Sequence, residues 1–215
     1  QGFRDVLEFG IEQRYDIYDL FLKFPDPLVP RRHRREIAER LAYDGRVLAP
    51  LDEAAVRAEG ARLVAEGCTA IAVVFLHSYA NPAHEQAAGR ILREAFPNIS
   101  VSLSSEVAPE IREYERCATT CANAFVQPLM DRYIGRLLRE LAALGFAGTL
   151  RLMQSDGGLC APEVARAFPI RLLESGPAGG ALATVLFARE TGLPDALAFD
   201  MGGTTAKLAL VDGHE

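Results

Sequence analysis

The sequence lacks tryptophan, contains few cysteines and histidines, and has no long hydrophobic run. Four of its 215 residues are cysteine and four are histidine. No apolar stretch approaches the roughly 20 residues of a membrane-spanning helix, and the first residues do not form a signal-peptide pattern. The cysteines are not spaced as a disulfide framework. Cys117 and Cys121, one helical turn apart, could hold a metal, but buried apolar thiols are favoured. We therefore expect a reduced, cytoplasmic protein without a membrane span.

Positive charge is also scarce. The formal net charge is −6, which argues against nucleic acid as a partner. One dense basic run occurs, Arg31 to Arg35. Because it follows Pro30, we interpret it as the solvated first turn of a helix rather than as a patch for a polyanion. That helix is expected over residues 34–43 and would be ended by Asp44 and Gly45.

The remaining composition is that of a globular α/β protein. Apolar residues make up 49% of the chain, and its length allows a substantial core. The continuous apolar run at 69–76 predicts a buried strand. Asn81 and Pro82 then predict the start of a helix, and 99–103 predicts a second strand. This strand–helix–strand order is typical of a largely parallel sheet.

The second half of the chain continues the alternation of helices and strands. A helix is predicted over 109–145 with an interruption at Pro128, followed by strands at 149–153 and 170–173. A last helix is predicted from 177 to 191. We divide the chain into a connecting segment with a helix, an α/β subdomain and a second α/β part, over residues 1–50, 51–106 and 107–215.

The strongest functional signal is the segment from Asp200 to Lys207. It lies between two apolar runs and predicts a β-hairpin whose tip presents a carboxylate, backbone N–H groups and two hydroxyls. Gly202 and Gly203 leave room for an anion to approach the backbone. The pattern differs from a Walker A loop. The alternative is an ordinary glycine turn.

A second signal is the pair Gly179 and Gly180 at the start of the predicted helix. Each glycine costs about 1 kcal/mol relative to alanine inside a helix. One explanation is a ligand bound at the positively polarised end of the helix. Another is tight packing of the helix on the sheet, and the residues alone leave both open.

Two further groups have a functional and a structural interpretation. His77, His84 and Glu85 could bind a metal, but a strand-end loop in which Glu85 complements the helix dipole is favoured. The charged cluster from Arg112 to Arg116 could contact a substrate, although surface pairs one helical turn apart are favoured.

Several segments, in a fixed order along nearly the whole chain, resemble one family. They are Gly2-Phe-Arg-Asp5, Pro30-Arg-Arg32, residues 75–85, residues 112–116 with Thr119-Thr120, Met153-Gln-Ser-Asp-Gly-Gly158, Ser175-Gly-Pro-Ala-Gly-Gly180 and Asp200-Met-Gly-Gly-Thr204. This set is similar to the hydantoinase A / 5-oxoprolinase family, which includes N-methylhydantoinases and β-type subunits of acetone carboxylases. Two positions depart from it. Asp156 occupies a position where many relatives carry Asn, and Ala206-Lys207 one where many carry Thr-Asp.

The resemblance implies a partial actin-like (ribonuclease H-like) ATPase fold with a mostly parallel sheet and flanking helices. It implies ATP-dependent hydrolysis of a cyclic amide such as hydantoin, N-methylhydantoin or 5-oxoproline, with ATP phosphorylating the carbonyl. Asp200 would be catalytic and would bind Mg²⁺. The phosphates would contact eight residues: Gly176, Gly179, Gly180, Gly202, Gly203, Thr204, Thr205 and Lys207. Lys207 could equally lie on the outward face of the hairpin.

The same resemblance implies partners and leaves alternatives. We expect contacts with the rest of the same polypeptide and with a second, hydantoinase B-type subunit. Since the family has two phosphate hairpins and only one is recognised here, we expect an internal fragment without efficient ATPase activity of its own. The alternatives are an ATP-dependent ketone (acetone-type) carboxylase subunit, an actin-like kinase or chaperone, and a non-catalytic interaction module built on the aromatic and proline-rich residues 1–30.

Overall fold

The computed structural model of the protein describes residues 2–11, 18–23 and 25–213. Part of the predicted connecting segment, residues 1, 12–17 and 24, therefore lies outside the described residues. The chain forms two compact units, Gln1–Leu129 and Met130–Glu215. Both contain helices and strands, which confirms the α/β class.

The first unit opens with short elements rather than with the expected helix. They are helix α1 (Val6–Phe9), a 3-10 turn (Arg31–His33) and strands β1 (Arg40–Leu41) and β2 (Val47–Ala49). The prediction of a helix over 34–43 is wrong. Asp44 and Gly45 form the turn of an antiparallel hairpin, with Gly45 at φ +83° and its N–H donating to the Ala42 carbonyl at 3.0 Å. Asp-Gly favours such a turn because both positions tolerate positive φ.

A strand–helix–strand unit follows and carries the main core. Helix α2 (Glu53–Ala65) is capped by Asp52, whose carboxylate accepts the Ala55 N–H at 2.9 Å. Strands β3 (Ala70–Val73) and β4 (Ser100–Leu103) are parallel, as predicted, and helix α3 (Ala83–Ala95) connects them. The buried core consists of Val56, Leu63, Ile71, Val73, Phe75, Ala88, Ile91, Leu92, Val101 and Leu103.

A short helix and a long one complete this stretch. Helix α4 (Ser104–Val107) directly follows β4, and helix α5 (Glu113–Ala143) runs for 31 residues. The predicted interruption at Pro128 does not occur. Proline removes one helical hydrogen bond, but α5 buries Ala124 before it and Ile134 after it, and this packing favours a continuous helix.

The second unit contains the C-terminal part of α5, followed by two hairpins and two further helices. Strands β5 (Leu152–Met153) and β6 (Leu159–Cys160) pair antiparallel, and helix α6 (Pro162–Ala167) follows. The predicted strand at 170–173 is instead a 3-10 turn (Pro169–Leu172). Proline at the start of this turn fixes φ near the helical value. The segment therefore turns, although its apolar character alone predicts a strand. The buried core of the second unit consists of Ile134, Cys160 and Ala165.

Helix α7 (Ser175–Thr191) and a hairpin of strands β7 (Ala196–Met201) and β8 (Ala206–Val211) end the described chain. Both were predicted. The expectation of a mostly parallel sheet is wrong for the described residues, in which three of the four strand pairs are antiparallel. The three antiparallel pairs are joined by only a few residues, too few for the crossover that parallel strands require.

In the ranges that the structure covers, no helix is both long and apolar enough to cross a membrane.

Candidate phosphate-binding site

The start of α7 and the β7–β8 hairpin are joined by an ion pair. The Lys207 ammonium donates a hydrogen bond to the carboxylate of Glu174. Glu174 is the residue before α7 and adopts a left-handed backbone conformation with φ +61°. Among the described non-glycine residues only His77 shares a positive φ, so this turn into the helix is unusual. The pair connects strand β8, just after the hairpin tip, with the residue before the helix.

Asp200 lies opposite Lys207 in the hairpin. The two are cross-strand partners, and partners in an antiparallel pair project from the same face. The Lys207 ammonium thus reaches the residue that precedes α7, and its role toward a phosphate remains a prediction. Asp200 is exposed. A carboxylate and an ammonium therefore stand side by side near the helix start.

The tip of the hairpin, residues 202–205, is closed by one backbone hydrogen bond. The Gly202 N–H donates to the Thr205 carbonyl at 3.0 Å. This N–H is used within the turn, so the backbone of Gly203 is the better candidate for an anion. Thr204 and Thr205 are exposed, and their hydroxyls are accessible from solvent.

The glycines of both segments face open space. A Cβ atom built on Gly176, Gly180 or Gly203 would have no heavy atom within 4 Å among the described residues beyond its own chain neighbours and helix backbone. At Gly179 the nearest atom would be the Met153 side chain at 3.8 Å. Tight packing therefore does not explain Gly180, and the room beside it suits a ligand.

A third glycine-containing turn packs against the same helix. A Cβ on Gly157, which has φ +83°, would lie 3.0 Å from the Leu182 side chain of α7. Asp156 accepts the Gly158 N–H at 2.8 Å and so stabilises this turn between β5 and β6. Asp156, which occupies a position where we expect Asn in many relatives, thus has a structural role in this turn.

Comparison with known proteins identifies the family. Residues 1–96 match the family model of the hydantoinase/oxoprolinase N-terminal region, and residues 116–215 match the hydantoinase/oxoprolinase family model. The chain belongs to the hydantoinase/oxoprolinase family. The resemblance expected from its motifs is confirmed.

Characterised family members are similar over almost the whole chain. The caprolactamase alpha subunit of Pseudomonas jessenii is 37% identical over 99% of this chain, and the 5-oxoprolinase of Saccharomyces cerevisiae is 32% identical over 97% of it. The chain spans 31% and 18% of the length of these relatives.

Two solved structures share the fold. The crystal structure of the ATP-dependent caprolactamase from Pseudomonas jessenii superposes with a TM-score of 0.86, at 38% identity, over 98% of this chain and 31% of that chain. A nucleotide-free acetone carboxylase superposes with a TM-score of 0.83, at 26% identity, over 100% of this chain and 32% of that chain.

Each histidine of the family-like segment 75–85 has a side-chain partner. His84 Nδ1 lies 2.9 Å from a carboxylate oxygen of the buried Glu39, and His77 Nδ1 lies 3.2 Å from the Tyr79 hydroxyl. No group of three or more potential metal ligands occurs within residues 2–11, 18–23 and 25–213. The structural interpretation of these residues is therefore favoured.

Glu85 has a larger role than complementing a helix dipole. It is fully buried. One carboxylate oxygen accepts the Phe75 N–H at 2.8 Å and the Ser104 hydroxyl at 2.6 Å, and the other accepts the Ser105 N–H at 2.8 Å. Glu85 thus connects α3 with the ends of the two parallel strands.

Arg116 corrects the expectation of a surface cluster. Arg112 and Glu115 do form an exposed pair at 3.6 Å, but Arg116 is buried. Its guanidinium donates to the carbonyls of Phe75 and Glu110 at 3.1 and 2.6 Å and to the Ser104 hydroxyl at 3.2 Å. Nothing in the local sequence distinguished Arg116 from Arg112, because its partners are distant in the chain.

The cysteines are free thiols, as expected. Cys121 is buried, and the hydrogen bond with Cys117 together with burial raises the pKa of the Cys121 thiol. The Cys121 thiol therefore stays protonated at neutral pH.

Proposed function

We propose that the chain provides one phosphate-binding part of an actin-like, ATP-dependent enzyme that hydrolyses a cyclic amide. The observation that carries this proposal is the junction of two glycine-rich segments at Glu174 and Lys207. Open space beside Gly180 and Gly203, an exposed carboxylate and a nearby ammonium together suit a metal-bound phosphate.

Each residue of the junction has a role suited to its chemistry. Asp200 offers hard oxygen ligands for Mg²⁺. Lys207 would leave Glu174 to neutralise phosphate charge, and the Thr204 and Thr205 hydroxyls would donate hydrogen bonds to phosphate oxygens. The glycine backbones at 176, 179, 180, 202 and 203 would approach the phosphates closely because they carry no side chain. Bound ATP would supply the phosphoryl group that activates the substrate carbonyl.

The substrate class follows from the relatives. Caprolactamase and 5-oxoprolinase are named for cyclic amides, so a cyclic amide is the first candidate for this chain. A ketone is the second candidate, favoured by the superposition with acetone carboxylase. We further propose that the chain acts in the cytoplasm with the remainder of a longer polypeptide and a hydantoinase B-type subunit, since one relative is named as an alpha subunit.

The proposal is tested by ATP turnover of the full-length protein with hydantoin, N-methylhydantoin, 5-oxoproline and acetone. We expect a cyclic amide to stimulate turnover and Asp200→Asn to reduce kcat by a factor of about 100 or more, since the substitution removes charge from a site that works by electrostatic positioning. Stimulation by acetone alone would favour the carboxylase. No stimulation by any compound would contradict both.

A glycine substitution separates binding from folding. Gly180→Ala should leave the fold intact or slightly more stable, because alanine favours helix and meets no atom there, yet it should weaken nucleotide binding. Gly135→Ala in α5 is the matched control, since its Cβ would lie 3.6 Å from only the Arg139 side chain. Equal nucleotide affinity of the two variants would argue against a phosphate beside Gly180.

A further inference from the structure

The first unit contains a cavity of about 720 Å³ that the proposed phosphate site does not use. Its volume lies in the range of small-molecule sites, about 300–1,000 Å³. Three segments far apart in the chain line it: residues 2–11 with gaps, Arg31 with Glu36, and residues 112–115. Each of these regions contains or borders a family-like motif that the phosphate site leaves unexplained.

Part of the cavity wall is held by internal bonds. The Arg31 guanidinium donates to both carboxylate oxygens of Asp5, at 2.9 and 3.1 Å. This hydrogen bonding lowers the pKa of the Asp5 carboxyl. The Gly2 N–H donates to Glu36. These groups position the wall and have little capacity left for a ligand.

Other polar groups of the same cavity are uncommitted. Within the described residues, neither the Glu113 carboxylate nor the Tyr114 hydroxyl has a hydrogen-bond partner, although the Tyr114 ring lies beside Gly10. Among the residues that the structure covers, the only ion-pair partner of Arg112 is Glu115, at 3.6 Å. The apolar part of the lining comes from Phe3, Val6, Phe9 and Ile11.

We propose that this cavity binds the ring of a cyclic amide, an inference that rests on the proposed function. A cyclic amide holds its N–H and C=O cis, so one donor and one acceptor lie side by side. Glu113 can accept the N–H, and the Tyr114 hydroxyl or Arg112 can donate to the carbonyl. The ring methylenes suit the apolar lining, and a neutral ligand suits a cavity that carries both signs of charge.

Binding is tested with 2-pyrrolidinone and N-methyl-2-pyrrolidinone, by saturation-transfer NMR titration of the protein without nucleotide. Glu113→Leu and Tyr114→Phe should each weaken 2-pyrrolidinone binding about tenfold, the effect of losing one useful hydrogen bond. The N-methyl compound has no N–H, so it should bind more weakly than 2-pyrrolidinone to the unsubstituted protein. Glu113→Leu should abolish most of that preference, because leucine cannot accept the N–H, and a merely structural role would not change it.

Matched controls lie on the same helix. Glu140→Leu and Tyr133→Phe change exposed residues outside the cavity and should leave lactam binding unchanged. If Glu113→Leu and Tyr114→Phe bind like these controls, or if the unsubstituted protein does not bind 2-pyrrolidinone, the cavity proposal is overturned. The proposed function fails separately, when no cyclic amide stimulates ATP turnover by the full-length protein.

Discussion

Glu85 and Arg116 are the charged residues at the centre of the polar network in the first unit, and both are buried. They share the Ser104 hydroxyl, and they bind the N–H and the carbonyl of Phe75. A buried charge is costly unless hydrogen bonds replace its lost hydration. The network meets that requirement, and it holds the ends of β3 and β4 against α3 and α5.

We predict that Glu85→Gln destabilises the first unit by about 2 kcal/mol, because an amide cannot accept all three hydrogen bonds and leaves buried donors unsatisfied. Urea unfolding measures the change. Glu94→Gln, an exposed position on the same helix, is the matched control and should change stability by less than about 0.5 kcal/mol. Equal effects of the two substitutions would contradict a structural role for Glu85.

The placement of a residue in a site or contact was predictable where neighbouring residues in the sequence carry the signal. It was not predictable where the residue's partner is distant in the chain. The Asp200 hairpin was recognised because its glycines and flanking apolar runs are contiguous. The pairing of Glu174 with Lys207 was not predicted, because the two residues are 33 positions apart in the chain. Arg116 was misassigned because its Phe75 carbonyl partner is 41 residues away. The roles assigned to Asp200 and the glycines remain predictions.

At the scale of elements, α2 and α3 pack closely at one glycine. A Cβ on Gly60 of α2 would lie 2.5 Å from the Leu92 side chain and 2.9 Å from the Phe96 ring. Leu92 is buried in the core and has little freedom to move. Gly60 therefore sets the approach of the two helices.

We predict that Gly60→Ala destabilises the protein by about 1 kcal/mol, because overpacking of about 1–3 kcal/mol exceeds the gain in helix propensity. Gly135→Ala, in open surroundings on α5, should instead be neutral or stabilising. Thermal unfolding of both variants measures the difference. Stabilisation by Gly60→Ala would show that the helices can separate without cost.

Elements were predictable where capping and apolar character agreed. Asn81 and Pro82 correctly indicated the start of α3, and the apolar run at 69–76 indicated β3. The helix expected at 34–43 failed because Asp44 and Gly45 serve equally as a helix stop and as a hairpin turn. Pro128 was expected to end a helix, but the burial of residues on both sides of it was not visible in the sequence.

At the scale of the whole molecule, the two units have cores of different size. Ten buried apolar residues form the core of the first unit, and three form that of the second, counted over the described residues. The β7–β8 hairpin also leaves one apolar face uncovered, formed by Leu197, Phe199, Met201, Leu208 and Leu210. Since hydrophobic burial provides most of the stabilisation, the second unit should open more readily.

We predict that amide hydrogen exchange is slower in β3 and β4 than in β7 and β8, because local stability follows buried apolar contact. Leu103→Ala, at a fully buried position, should accelerate exchange in the first unit by removing about 2–5 kcal/mol of core packing. Ile134→Ala should do so in the second unit, whereas Leu144→Ala, at an 83% exposed position, should affect neither. Equal acceleration of both units by either core substitution would mean that the chain unfolds as one cooperative body, and the separate cores would then not define separate folding units.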